Sequence, residues 1–271
     1  MSGGIVAGAT YYLFRGAADG TQNNRQQIVE IPESSVLQSV GLSGGMCVTD
    51  EFIKDGLDKV KNFDNNFNDD IFLEAEKIKL LHQTVARMKR VQRLVGYGNF
   101  SLLRFDDMLR YAGNYSAVGD FSRQEKEFIE EVFFADASNY GFLGNKVITE
   151  LTANINKADT VKVPRSGHYL FKGEALQTYT RLRKDVGDSL VLTSGVRGVV
   201  KQIHLFLNKA MKTDGNLSRA SRSLAPPGHS YHGIGDFDVG KVNFGEANFT
   251  ARFADTAEYK RLVELGYIEI R

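Results

Sequence analysis

The chain has no tryptophan, one cysteine and only four prolines among its 271 residues. With Cys47 alone, no disulfide can form within the chain. That suits a reducing compartment, and equally the many bacterial envelope proteins built without disulfides. It also excludes a cysteine-rich zinc site, so any metal would have to be held by His, Asp or Glu. There is no excess of either charge: 34 Lys and Arg against 33 Asp and Glu leave a net +1. Nothing in that balance favours nucleic acid or an anionic membrane as a partner. The apolar run at 5–14 (IVAGATYYLF) is ten residues long, half of the ~20 needed to span a bilayer, and no basic segment precedes it as in a secretory signal. Two readings of it stand side by side: a remnant of a longer membrane anchor lying outside this chain, or a buried strand. Residues 16–25 (GAADGTQNNR) read as a polar linker.

What is present is a soluble globular composition, with 42% hydrophobic and 25% charged residues. The length allows one large domain or two small ones. In 71–95, Ile71, Ala75, Ile78, Leu81, Val85, Met88 and Val91 recur at three- and four-residue steps between Lys and Arg, which predicts an amphipathic helix stopped by Gly96. Further helices are expected at 100–111, after the capping-box pattern Ser122-Arg-Gln-Glu125, and at 145–155. After Lys157 the pattern changes. Strands are expected at 161–163, 189–193 and 267–271, and helices at 175–185, 199–211 and 257–265. Residues 213–228 read as a Ser-, Arg-, Gly- and Pro-rich loop. The expected class is α+β: a segment at 1–50 holding the anchor remnant and linker, a helical region at 51–157, and a small mixed α+β domain with an antiparallel sheet at 158–271.

The densest chemistry lies in 226–240, PPGHSYHGIGDFDVG. It carries two histidines, two aspartates and four glycines, too many glycines for a helix. Asp236, Phe237 and Asp238 can begin a strand, with both carboxylates on one face and Phe237 and Val239 on the other. A histidine before a turn and an aspartate after it can converge, and imidazole nitrogen with carboxylate oxygen suits Zn²⁺. Residues that merely satisfy the turn explain the same pattern.

This passage resembles the Ser-x-His…Gly…Asp signature of the VanY-type D-alanyl-D-alanine carboxypeptidases, zinc peptidases of bacterial cell-wall metabolism. Upstream, Ser194-Gly-Val-Arg197 after a strand, with Gln202 following, resembles the family's Ser-Gly-x-Arg…Gln element in the right order. Downstream, Phe253 with Thr256, Glu258 and Tyr259, then Leu265-Gly-Tyr267, resembles the passage before the family's last motif. The likeness runs from about Val161 to the end. It implies that His232 and Asp238 are zinc ligands and that Arg197 holds the substrate's terminal carboxylate or the developing oxyanion, as a catalytic and substrate-binding residue. It implies that Gln202 and Ser230 contact the peptide. The implied cofactor is zinc, the partner a peptidoglycan stem peptide, and the location the bacterial cell envelope.

Two departures qualify the likeness. Five residues separate His232 from Asp238, where the family leaves six. A one-residue change flips strand facing, so Asp236 stays a candidate beside Asp238. The family's closing Glu-x-x-His element, source of its third ligand and its general base, does not occur in the sequence. Because the end falls inside the expected strand YIEIR, the chain is expected to continue past Arg271. His229, His168, His204 and His82 are the other histidines, each more readily a capping, packed or exposed side chain than a ligand. Two functions of different class follow: a zinc carboxypeptidase, or a non-catalytic module that binds cell-wall peptide. Other D,D- or L,D-bond specificities are compatible with the same residues.

Overall fold

The computed structural model describes residues 14–16, 55–56, 58–59 and 61–270. The linker beyond Gly16, the apolar run up to Leu13 and the stretch 31–50 lie outside them. The class is the expected one: a helical N-terminal region followed by a mixed α+β region, with three antiparallel strand pairs among the described residues.

Phe14–Gly16 forms β1, which pairs with a strand at the far end of the chain. Helix α1, Ala75–Val95, buries Leu81, Val85, Met88 and Val91 along one stripe and stops at Gly96, whose φ of 85° suits glycine. It starts later than the periodicity predicts. Ile71 and Phe72 are held from outside instead, with Phe72 bridging Asn216 and Leu217 N–H donating to the Ile71 carbonyl at 2.9 Å. The short α2, Tyr97–Phe100, and α3, Phe105–Asn114, follow. Helix α4, Arg123–Phe134, opens with the expected capping box: Glu125 N–H donates to Ser122 Oγ at 3.1 Å and Ser122 N–H to Glu125 Oε2 at 2.8 Å. The same buried Glu125 pairs with Arg87 at 3.0 Å, tying α4 to α1.

No helix forms at 145–155, against the sequence expectation. This segment is an irregular strap. Val147 and Ile148 donate their N–H groups to the carbonyl of Gly228 at 2.8 and 2.9 Å, a long-range bond that replaces the local helical ones. Next come β2, Thr160–Lys162, and β3, Tyr169–Phe171, an antiparallel hairpin. Helix α5, Glu174–Val186, leads into β4, Leu190–Ser194, and then α6, Val199–Lys212. The expected loop at 213–228 contains a helix, α7, Leu217–Ser223, started by Asn216, whose side chain accepts from Arg219 N–H at 2.7 Å. Strand β5, Asp238–Lys241, pairs with β4; α8, Ala257–Glu264, and β6, Ile268–Ile270, complete the chain, β6 against β1.

Two apolar clusters result. One gathers α1, α3, α4 and the inner face of α6 around Met88, Phe100, Phe128, Ile203 and Phe206. The other gathers Leu170, Leu182, Leu192, Phe237, Val239 and Phe253 behind the β4–β5 pair. Helix α6 thus follows β4 in sequence yet is buried in the cluster of the helical half. The turn between β4 and α6 stands where the clusters meet.

Asp70 fastens the start of the helical half to α7. Its carboxylate accepts from Asn216 Nδ2 at 2.7 Å and Phe67 N–H at 3.0 Å, and it pairs with the buried Arg222. Burial alone would push the Asp70 carboxyl up, but the bonds from Asn216, Phe67 and Arg222 outweigh it and hold the pKa below its ordinary value. A depressed carboxyl stabilises the fold above the unfolded-state pKa of about 4 and loses that contribution as pH falls through its folded value. Asp70→Asn strands the Arg222 charge and should destabilise the protein at neutral pH by about 3–5 kcal/mol in urea unfolding. The gap to the parent should close below about pH 4; a gap unchanged at low pH would show that the charge is not what matters.

Candidate active site

The glycine-rich stretch folds into a compact turn. Tyr231–Gly233 is a single 3₁₀ turn, and the Tyr231 carbonyl accepts the N–H groups of Ile234, Gly235 and Asp236 at 3.0, 3.1 and 3.2 Å. The chain is thereby reversed and returned as β5, where Phe237 and Val239 enter the core. His232 and Asp238 are both buried, at 3% and 6% exposure, and His232 Nε2 stands 3.3 Å from Asp238 Oδ2. Asp238 is thus a carboxylate at ion-pairing distance from His232. Asp236 is buried in the turn before it.

The other ring nitrogen fixes the tautomer. His232 Nδ1 lies 3.0 Å from the Gly195 carbonyl. A carbonyl only accepts, so Nδ1 carries the hydrogen and the neutral ring turns its Nε2 lone pair toward Asp238. Two acceptors facing each other across 3.3 Å need a cation between them, either a proton or a metal ion. Asp238 Oδ1 is also buried without a hydrogen-bond partner. Two ligands held ~2.0–2.1 Å from a tetrahedral Zn²⁺ stand roughly 3.3 Å apart, so the pair fits as half of such a donor set. Among the described residues, no group of three or more His, Cys, Asp or Glu could hold a metal.

Arg197 comes from the other motif. Strands β4 and β5 are in register from Leu190–Lys241 to Leu192–Val239; an irregularity then sets Ser194 opposite Asp238. Such bulges re-aim side chains at the end of a strand pair. The following turn is clamped by three backbone bonds: Val196 N–H to Tyr169 O at 2.7 Å, Arg197 N–H to His232 O at 3.1 Å and Gly198 N–H to Ser101 O at 2.8 Å. The guanidinium donates to Ser194 Oγ at 3.0 Å and Gln202 Oε1 at 3.2 Å, and lies 4.0 Å from Asp238. Gln202 is buried, and its amide nitrogen donates to the Ala225 carbonyl. Both ends of its side chain are engaged in holding Arg197 to the Pro-rich turn. Ser230 is buried too, and its carbonyl accepts from Gly233 N–H at 3.2 Å.

Arg197 and Asp238 open onto a pocket of about 330 Å³ whose walls include Tyr97, His168, Thr193 and Lys201. Burial, then the charges of Lys201 and Arg197, depress the His168 pKa. Burial and Arg197 bring Lys201 down to about 8. Sequence reasoning considered His168 only as a distant candidate and missed Lys201. The available signal was its position four residues after Arg197, one turn into a helix. The remaining histidines are elsewhere: His204 is packed edge-on against Phe100 and held at about 4 by burial, His229 meets the Gly144 carbonyl at 2.9 Å, and His82 is exposed on α1.

Gly195 is required by close approach. A Cβ there would lie 2.1 Å from the Tyr169 carbonyl oxygen, a backbone atom that cannot swing away. Gly195→Ala must push β3 from the turn that carries Arg197 and receives His232. A cost of about 1–3 kcal/mol is expected for such overpacking, read as a melting point lowered by about 2–4 °C per kcal/mol. A variant melting with the parent would show that the contact relaxes freely.

No curated protein and no solved structure matches the chain. Residues 171–267, the stretch that carries Arg197, Gln202, Ser230, His232 and Asp238, match the family model of VanY, D-alanyl-D-alanine carboxypeptidase.

Proposed function

We propose that this protein is a zinc-dependent carboxypeptidase that hydrolyses the D-Ala-D-Ala bond of peptidoglycan stem peptides at the bacterial cell envelope. The observation that carries this reading is that Asp238, 3.3 Å from His232 and 4.0 Å from the Arg197 guanidinium, lines one pocket together with Arg197. His232 and Asp238 would hold the zinc. When bound, zinc supplies a polarised carbonyl and an activated water. Arg197 would take the substrate's terminal carboxylate, because its planar fork binds carboxylate in two parallel bonds. Ser194 and Gln202 act as positioning residues that fix the fork. In hydrolysis the water oxygen bonds to the carbonyl carbon as the C–N bond breaks, and the amine of the released D-Ala gains a proton.

A second reading has its own support. Only two ligands, His232 and Asp238, converge among the described residues. On that reading the same pocket binds a peptide end without cleaving it. Turnover of a pentapeptide stem by the natural protein separates the two.

Zinc binding tests the ligand assignment. His232→Ala and Asp238→Ala should each weaken zinc, measured by competition with a chelating dye, at least tenfold. The metal-free melting point of Asp238→Ala should stay near the parent's, whereas His232→Ala also removes the donor to the buried Gly195 carbonyl and should melt lower, by about 2–4 °C for each of the roughly 1–3 kcal/mol lost. Loss of zinc in Asp236→Ala with zinc kept in Asp238→Ala would reverse the assignment.

Substrate reading by Arg197 is tested with a stem peptide as free acid and as C-terminal amide. Losing a charged hydrogen bond costs about 1.5–3 kcal/mol, so the parent should favour the acid by about ten- to a hundredfold. Arg197→Lys keeps the charge without the fork and should lose most of that preference. Equal handling of acid and amide by the parent would show that the terminus is not read, and would point to an endopeptidase.

A further inference from the structure

The pocket of Arg197 and Asp238 keeps its charged groups inside and carries aromatic rings at its open edge. Of the residues lining it, Tyr97, Gly167 and Phe249 are exposed to solvent, Tyr97 by 69%, while the rest are buried or half-buried. Tyr97 comes from α2, in the helical half and outside the family-matched stretch. Phe249 ends the 3₁₀ turn Gly245–Phe249 that follows β5. Both are set in place by fixed neighbours. A Cβ on Gly98 would lie 2.8 Å from the Gly167 carbonyl oxygen, so α2 is laid directly against the β2–β3 turn. Asn99 Nδ2 donates to the Val95 carbonyl at 2.9 Å, and its Oδ1 accepts from Tyr169 OH at 3.3 Å. On the other side, the buried Asn248 accepts from Lys241 N–H at 2.7 Å and donates to the Lys241 carbonyl at 3.0 Å, which pins the turn before Phe249 to β5. A single exposed ring is ordinary on a protein surface. Two at the edge of one pocket, each next to an anchored residue, are a positioned pair.

We propose that Tyr97 and Phe249 are specificity-determining residues that hold the side chain of the residue preceding the D-Ala-D-Ala pair, and that they favour a long aliphatic side chain at that position. The inference rests on the carboxylate reading of Arg197 given above. With the terminal carboxylate on Arg197 and the scissile bond beside Asp238, the rest of the peptide leaves the pocket by its open edge. An extended chain rises about 3.3–3.6 Å per residue, so the residue before the D-Ala-D-Ala pair stands about 7 Å from the terminal one, on the way out past the two rings. Aromatic faces gain by covering apolar C–H groups and, unlike the buried guanidinium, ask for no charge in return. The D-Ala methyl groups are too short to reach out of the pocket, whereas a chain of several methylenes can lie across a ring. The helical half would thus take part in reading the substrate through Tyr97.

The test is calorimetric binding of two peptides with the same terminus, acetyl-Lys(Nε-acetyl)-D-Ala-D-Ala and acetyl-Gly-D-Ala-D-Ala. They differ only in the uncharged aliphatic side chain at the position in question. Zinc is withheld so that the peptide bond stays intact. The unaltered protein should bind the first about three- to tenfold more tightly, the scale of one aromatic contact. The ratio should fall toward one in Tyr97→Ala and in Phe249→Ala and be kept in Tyr97→Phe, while affinity for the glycine peptide stays level in all three. Equal binding of the two peptides by the unaltered protein overturns the role of the rings and leaves the carboxylate reading intact. A ratio that survives in both alanine variants equally overturns it. Equal weakening of both peptides in Tyr97→Ala would show that the ring supports the pocket and does not read the side chain, which also overturns it. If the unaltered protein binds neither peptide, the carboxylate reading of Arg197 falls together with this one.

Discussion

Two hydrogen bonds clasp the turn at 194–198 to the turn at 230–233: His232 Nδ1 to the Gly195 carbonyl at 3.0 Å, and Arg197 N–H to the His232 carbonyl at 3.1 Å. Each motif supplies one donor and one acceptor. The clasp sets the imidazole tautomer, brings the Arg197 backbone against the histidine turn, and leaves Nε2 facing Asp238. A buried carbonyl that lost its donor would be left unsatisfied at a cost of about 1–3 kcal/mol. The clasp also explains Gly195. Its carbonyl must reach His232 while its α-carbon lies against the Tyr169 backbone, and only a residue without a Cβ allows both.

Most of this arrangement can be read from the sequence where it depends on local chemistry. Ser122 and Glu125 announce α4 because a capping box closes within one turn. Val200, Ile203, Phe206 and Leu207 announce α6 because its apolar face repeats at helical spacing. The pairing of His232 with Asp238 is visible because a glycine-rich turn between them leaves few places for the chain to go. The failures share one cause. The strap at 145–155 has helix-like apolar spacing, but the N–H groups of Val147 and Ile148 go to Gly228, some eighty residues away. Helix α7 lies in a stretch whose Ser, Arg and Gly content reads as loop, and Asp70, Asn66 and the bridge from Phe72 hold it. Neither long-range partner leaves a mark in the local pattern. His168 reads more readily as a structural side chain than as a ligand, and Lys201 carries only its four-residue spacing from Arg197; the fold is what brings both to the wall of one pocket.

The family match spans 171–267, yet that stretch cannot bury its own hydrophobic surface. The inner face of α6 sets Val200, Ile203, Phe206 and Leu207, all fully buried, into the cluster built by α1, α3 and α4. Exposing such side chains costs about 1.5–3 kcal/mol each. The start of α6 is where Gly198 N–H meets the Ser101 carbonyl and where Lys201 turns into the pocket. The strap reaches the other motif directly: Ile148 lies so close to Gly233 that a Cβ there would come within 2.4 Å of its Cδ1. The helical half therefore does more than precede the site. It supplies the floor on which α6 rests and the strap that closes over the histidine turn. Any change in the packing of α1 against α6 would be felt first at the junction that orients Arg197 and Lys201.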